Sequence, residues 1–260
     1  MLKKVLFLLL VTFVSFSFAK QINKAQCDEK GDGFIYAGNE CINYSMFEGD
    51  DNNRLIIIVH GTWEEGSNVL GRYTSFAENI NMSTDVSTIA VALPGYSKSS
   101  LNHLKSIGSK EYNHQAATKE YVEFLEKLVI ALKDKYKSKE ITIIGHSAGA
   151  MMSASLAGLN NKLFKNVVLV AGRYERPDYA KQKHLLAIDV LDKMNKNTKF
   201  IMIYGTEDKI SKPSVTKDFY KKMKKQGLNV ELVEIKDAGH IDLDMRDRSV
   251  EAITSLFEEE

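Results

Sequence analysis

Six short apolar runs, separated by segments of helical period, constrain this chain more than any other feature. They fall at residues 55–59, 88–93, 141–144, 167–170, 200–204 and 230–235. The first five are almost continuously apolar, the pattern of strands covered on both faces. Between them, residues 113–137 repeat Ala117, Tyr121, Phe124, Leu128 and Leu132 at steps of three or four, which predicts one buried helix face. Residues 213–226 do the same with Val215, Phe219 and Met223, while Lys217, Lys221, Lys222, Lys224 and Lys225 mostly lie off that stripe as a solvated face. Alternating strands and helices with short connections imply an α/β fold, a mostly parallel sheet with helices on both faces. Such sheets bind ligands beyond the carboxyl ends of their strands. The chemistry is therefore expected on loops that begin near residues 60, 94, 145, 172, 205 and 236.

Composition narrows the class further. The chain is 44% hydrophobic and 27% charged with three prolines, which excludes collagen-like, low-complexity and disordered chains. Its 35 basic and 34 acidic residues lack the basic excess of a general nucleic-acid binder, so no nucleic-acid partner is expected. No fixed period recurs, which argues against solenoids and propellers. No linker or composition break divides the chain past its leader, and residues 20–260 are expected to form one domain.

Residues 1–19 read as a signal peptide. Lys3 and Lys4 precede an uncharged apolar run from residue 5 to 19, shorter than the roughly 20 residues a membrane span needs. Ser17 and Ala19 supply small side chains where a signal peptidase reads them. An exported protein, periplasmic or extracellular, with no stable membrane anchor after cleavage is expected. Cys27 and Cys41 are the only cysteines. In an oxidising compartment they could close a loop worth about 3 kcal/mol, with Gly31-Asp32-Gly33 and Gly38-Asn39 as turn signals for a hairpin; two buried free thiols are the other reading. No ligand cluster accompanies them, so no metal is expected. Asn43 and Asn81 head glycosylation sequons, relevant only in a host that glycosylates.

The sharpest local signal is Gly145-His146-Ser147-Ala148-Gly149, which follows the 141–144 run and leads into the helix-compatible stretch 150–159. A bare G-x-S-x-G match is weak, but strand before, helix after and a carboxyl-end loop are the context that gives it meaning. A sharp strand-to-helix turn needs glycines where backbone crowds backbone. It exposes the Ser147 hydroxyl over a helix N-terminus, where free N–H groups favour developing negative charge.

From about Arg54 to its C-terminus the chain resembles the α/β-hydrolase superfamily, with residues 145–149 as the nucleophile elbow. The family's chain order is nucleophile, acid, base. Tyr204-Gly205-Thr206-Glu207-Asp208 resembles the acid-bearing loop and Asp237-Ala238-Gly239-His240 the base-bearing loop, so the resemblance implies Ser147, Asp208 and His240 as the catalytic set. His60-Gly61-Thr62-Trp63 is similar to the family's H-G-x turn, which implies oxyanion donors at the N–H groups of Thr62 and Ala148. Leu93-Pro94-Gly95-Tyr96-Ser97 is a partial match to another signature; Ala92 and Ser97 stand where an acidic residue and a glycine are common.

Rivals remain at several positions. Glu207 or Asp242 could orient the histidine in place of Asp208. His60 fits a loop-fixing role better than a base, and His103, His114 and His184 lack motif context. Trp63, Tyr96 and His146 are candidate substrate-lining residues, although the elbow geometry would point His146 away from the serine. The 172–199 connection is expected to hold a short cap at most; Arg173, Arg176, Lys181 and Lys183 with Tyr174 and Tyr179 hint at an anionic or aromatic acyl group, or form a solvated basic loop. The resemblance implies a serine esterase that needs no metal or organic cofactor and acts on a small-molecule ester. An acyltransferase, a peptidase and a catalytically silent binding protein are the alternatives.

Overall fold

The computed structural model describes residues 21–258 apart from 113, 177, 179 and 180. The signal peptide expected at 1–19 and Tyr179 of the expected cap lie outside the described residues. Each of the six apolar runs coincides with a strand: β3 (Asp51–Val59), β4 (Val86–Val91), β5 (Glu140–His146), β6 (Asn166–Val170), β7 (Lys199–Gly205) and β8 (Asn229–Ile235). Two further strands, β1 (Phe34–Ala37) and β2 (Glu40–Phe47), precede them. The sheet runs β1-β2-β4-β3-β5-β6-β7-β8. β1–β2 and β2–β4 are antiparallel and all other pairs are parallel.

The strand order decides where the helices go. From β3 the chain steps outward to β4 through α2 (Leu70–Thr84), then returns past β3 to β5 through α3 (Lys119–Tyr136). Right-handed crossovers in opposite directions place α2 and α3 on opposite faces. α4 (Ala148–Leu159) continues in the second direction and packs against α3, whereas α6 (Asp247–Thr254) packs against α2. The reversal leaves a crevice between the carboxyl ends of β3 and β5, where ligands of such sheets bind. Because Val59 pairs with Gly145, residues 60–62 and 146–148 emerge from the sheet side by side.

Local chemistry explains most boundaries. The helix predicted from residue 113 starts at Lys119, because the Thr118 side chain accepts the Tyr121 N–H and caps it. A short 3₁₀ segment, Gln115–Ala117, precedes the cap, and the predicted stripe is buried. On α5 (Pro213–Lys225) Phe219 and Met223 are buried, while Lys217, Lys221 and Lys222 meet Glu234, Asp218 and Glu175. α2 and α6 have no counterpart in the predicted elements. Among its described residues the expected cap holds one helix, the 3₁₀ segment Ala187–Lys193, which packs on α4.

The N-terminal segment is tied to the sheet in three ways. Gly38 and Asn39, both at positive φ, form the two-residue turn between β1 and β2. Cys27 of α1 (Lys24–Asp28) forms a disulfide with Cys41 of β2, and both residues are buried. Glu40, fully buried, accepts hydrogen bonds from the Ser100 hydroxyl and the N–H groups of Asn102, His103 and Leu104, so one carboxylate orders the loop after β4. The two sequon amides are also engaged, Asn43 with the Gly33 carbonyl and Asn81 with that of Val86.

The disulfide joins residues 14 apart. Replacing both cysteines with serine should lower unfolding free energy by about 3 kcal/mol, read from urea denaturation of oxidised protein. An unchanged midpoint would mean the bridge contributes nothing to stability.

Candidate active site

Ser147 sits at the turn from β5 into α4 with φ 55° and ψ −113°. Such a conformation in a side-chain-bearing residue costs on the order of 1–3 kcal/mol and persists only where surroundings enforce it. Here the Ser147 N–H donates to the Val170 carbonyl at 2.8 Å and its own carbonyl accepts from Met151 at 3.1 Å. The flanking glycines serve close approach. A Cβ on Gly145 would lie 2.5 Å from the Gly149 carbonyl oxygen, and one on Gly149 would lie 2.2 Å from that of Val59. The helix start is thereby pressed against the end of β3.

The turn brings the Ser147 hydroxyl to 2.9 Å from Nε2 of His240. Nδ1 of His240 lies 2.8 Å from Oδ2 of Asp208. A carboxylate only accepts, so Nδ1 carries the proton, and neutral His240 presents Nε2 as the acceptor for the serine O–H. The second oxygen of Asp208 accepts the N–H groups of Ile210 and Ser211, both at 2.8 Å. The Asp208 side chain is completely buried and that of His240 is 8% exposed. Burial holds His240 below the usual histidine pKa; the hydrogen bond to Asp208 pulls upward but does not overcome it, and neighbouring His146 adds to the depression. Glu207 is solvent-exposed and Asp242 pairs with Arg72; the carboxylate bonded to His240 is that of Asp208.

The N–H groups of Thr62 and Ala148 stand beside Ser147. Ala148 opens α4, so its N–H has no partner inside the helix, and the Thr62 N–H donates to no group among the described residues. Both residues, with Ser147 and His240, line a cavity of about 150 Å³ completed by Met151, Ala171, Arg173, Ile210 and Ser211. A second cavity of about 360 Å³ shares Thr62, Ala148 and Met151 and extends under Ile107–Ser109 and Gln115–Ala116. The site is thus a cleft with two arms that meet at Thr62, Ala148 and Met151, with Ser147 in the first of them.

The predicted substrate-lining residues lie outside both cavities. Tyr96 is fully buried, and its hydroxyl is used on the Trp63 carbonyl at 2.7 Å. The Trp63 ring is half-buried beneath the Arg72 guanidinium. His146 is buried and points away from the hydroxyl; its Nε2 donates to the His240 carbonyl at 2.9 Å, which leaves Nδ1 to accept from Tyr73 at 3.3 Å. Tyr174 of the expected cap is also buried, stacked on Phe219. Met151 was missed, although its place one helical turn after Ser147, on the same face, is a signal that could have found it. The contribution of residues 107–110 and 114–116 has no sequence signal. His60 is buried with its pKa pushed down to about 4 by burial. Its Nε2 accepts the Leu93 N–H and its Nδ1 donates to the Gly61 carbonyl, which joins the loops after β3 and β4. Among the described residues, no group of three or more His, Cys, Asp or Glu is arranged to hold a metal.

Fold and site together define an α/β protein with a serine elbow at its switch point. Residues 54–186 match the family model described as alpha/beta hydrolase fold, and the chain belongs to that family. No curated protein matches it. Solved structures of similar fold include an esterase from Pyrococcus furiosus, 20% identical with TM-score 0.64, the match covering 85% of this chain and 89% of that one. Another is Est1E from Butyrivibrio proteoclasticus with ferulic acid bound, 17% identical with TM-score 0.57, covering 87% and 96%. A third is a CIB-like hydrolase from Thermoplasma acidophilum, 15% identical with TM-score 0.62, covering 86% and 95%.

The contact between Gly149 and the Val59 carbonyl leads to a prediction. Gly149→Ala should destabilise the protein by about 1–3 kcal/mol through overpacking and displace Ser147. A urea midpoint and activity both equal to wild type would show that the elbow tolerates a side chain there.

Proposed function

We propose that the protein is an exported serine hydrolase that cleaves carboxylic esters through an acyl-enzyme. The observation that carries this reading is the chain Ser147–His240–Asp208, at 2.9 and 2.8 Å, ending in a cavity that Thr62 and Ala148 also line. His240 accepts the hydroxyl proton as Ser147 Oγ attacks the ester carbonyl, and Asp208 stabilises the imidazolium that forms. The oxyanion accepts hydrogen bonds from the N–H groups of Thr62 and Ala148, a contribution of roughly 3–4 kcal/mol per donor in comparable sites. The tetrahedral intermediate collapses, His240 returns the proton to the departing alkoxide, and water then attacks the acyl group with His240 again as base. The hydrolases of similar fold are consistent with this chemistry. Export is supported by the signal-like segment 1–19 and the disulfide.

The test is mutational and chemical. Wild-type protein should turn over short-chain esters and be labelled by a fluorophosphonate. Ser147→Ala should lose labelling and lower kcat by a factor on the order of 10⁴–10⁶ with little change in melting temperature. The His240→Ala loss should be similar, and the double variant little worse than either single one. Asp208→Asn should cost on the order of 10³ or more, whereas Glu207→Gln stays near wild type. Full activity in Ser147→Ala would end the hydrolase reading.

The pH dependence follows from the environment of His240. The neutral imidazole is the active form, and burial keeps its pKa below 6.5. Protonation therefore disfavours the reaction only in acid, so kcat/KM should rise through a midpoint under 6.5 and be flat above pH 7.5. A midpoint above 7 would exclude a buried His240 as the base.

A further inference from the structure

A third cavity, of about 300 Å³, adjoins the serine cleft and shares Arg173 and Ile210 with it. Its other lining residues are Glu175, Arg176, Lys209, Lys212 and Val215. Four cations thus meet one carboxylate, and the ion pairs show which charges are spent. Arg176 is held in a two-point contact by Asp189, and Glu175 is engaged by Lys222 from α5. Arg173 donates one hydrogen bond, to the Ile210 carbonyl at 3.0 Å. That bond uses a single one of the five N–H donors of a guanidinium and pins the side chain at the junction of the two cavities. Lys209 and Lys212 form no ion pair among the described residues. Arg173, Lys209 and Lys212 therefore present an uncompensated positive field one residue beyond Ser211, which lines the wall of the serine cavity. Ile210 and Val215 give the passage between them an apolar surface.

We infer that the preferred substrate is an ester with one arm ending in a carboxylate, which Arg173, Lys209 and Lys212 bind while the ester carbonyl lies at Ser147. This assignment rests on the proposed hydrolase reading and names its substrate class. The apolar passage takes the methylene spacer, and the guanidinium fork matches the planar carboxylate. The attraction operates between solvent-accessible groups, so added salt screens it over roughly 8 Å at physiological ionic strength.

Two matched ester pairs test the inference, one for each arm of the ester: mono-4-nitrophenyl glutarate against 4-nitrophenyl pentanoate, and 4-acetoxybenzoate against its methyl ester. In at least one pair the charged member should be preferred by about fivefold in kcat/KM, the scale of an exposed ion pair, and the preference should shrink at 0.5 M NaCl. The double variant Lys209→Gln/Lys212→Gln should reduce that ratio to near one. Lys221→Gln, whose lysine pairs with Asp218 on α5, should leave the ratio unchanged. Calorimetric binding of the same esters to Ser147→Ala gives a readout that needs no turnover, with the charged member again expected to bind about fivefold more tightly. Equal or weaker binding and turnover of the charged member in both pairs overturns the inference. Loss of turnover and labelling in wild type, with tighter binding of the charged ester retained, would instead overturn the hydrolase reading alone.

Discussion

The site depends on one contact, the approach of the α4 start to the end of β3. With no side chain at Gly149, the first turn of α4 lies against the Val59 carbonyl, and the Ser147 backbone is forced to a positive φ. That posture lifts the hydroxyl out of the sheet plane toward His240. It also leaves the Ala148 N–H unengaged beside Thr62, which follows Val59 by three residues on the adjoining strand. Ser147 and the N–H groups of Thr62 and Ala148 thus come from two neighbouring strands whose connections run to opposite faces, and the level register of Val59 with Gly145 sets their separation. The cost of the strained serine is carried by a sheet whose two central strands are buried where they approach it, over Leu55–Val59 and Ile141–His146.

Histidines divide the remaining labour by their surroundings. His60 is enclosed so fully that its pKa falls to about 4, and as a permanent neutral group it accepts from one loop and donates to another. His146 lies 5.1 Å from His240 between ring centroids and donates to its backbone carbonyl. The buried imidazole there fixes the main chain that carries His240 and points away from the serine hydroxyl. Only His240 has both a carboxylate on one nitrogen and a hydroxyl on the other. Three histidines within motif-bearing loops thus divide between the two tautomers, Nδ1–H in His60 and His240 and Nε2–H in His146, each set by the groups it faces.

What was legible follows from how each feature is encoded. Buried parallel strands must be apolar on both faces, so residues 55–59, 141–144 and 167–170 announce themselves. The α3 stripe is equally plain because a long helix repeats its pattern five times. α2 is harder: Val69 at its start provides no side-chain cap, and Gly71 and polar Asn79, Asn81 and Ser83 blur its stripe. The order Ser147, Asp208, His240 was readable through short motifs, because each strand-end loop has tight backbone demands. Cleft-lining residues had no such demand. Trp63 and Tyr96 sit in the right loops, but a hydrogen bond between them turns both toward the scaffold. Ile107 and Ala116, far from any motif, reach the cleft because the loop after β4 is anchored by Glu40 of the neighbouring strand β2.

The loop from Thr206 to Ser211 couples the acid to the rim of the cleft. Asp208 uses one oxygen on the N–H groups of Ile210 and Ser211, which curls the loop around the carboxylate and leaves the other oxygen for His240. The same curl turns the Ile210 carbonyl toward Arg173 and the Ser211 hydroxyl toward the Gly172 carbonyl. The loop after β6 is therefore fastened to the acid loop at two successive residues, and the residues that gain their position, Arg173, Ile210 and Ser211, line the cleft. Removing the Asp208 charge weakens the orientation of His240 and also the two N–H bonds that shape this rim. A change at the acid should therefore be felt in substrate binding as well as in turnover, whereas a change at Ser147, which fastens no neighbouring loop with its hydroxyl, should be confined to turnover.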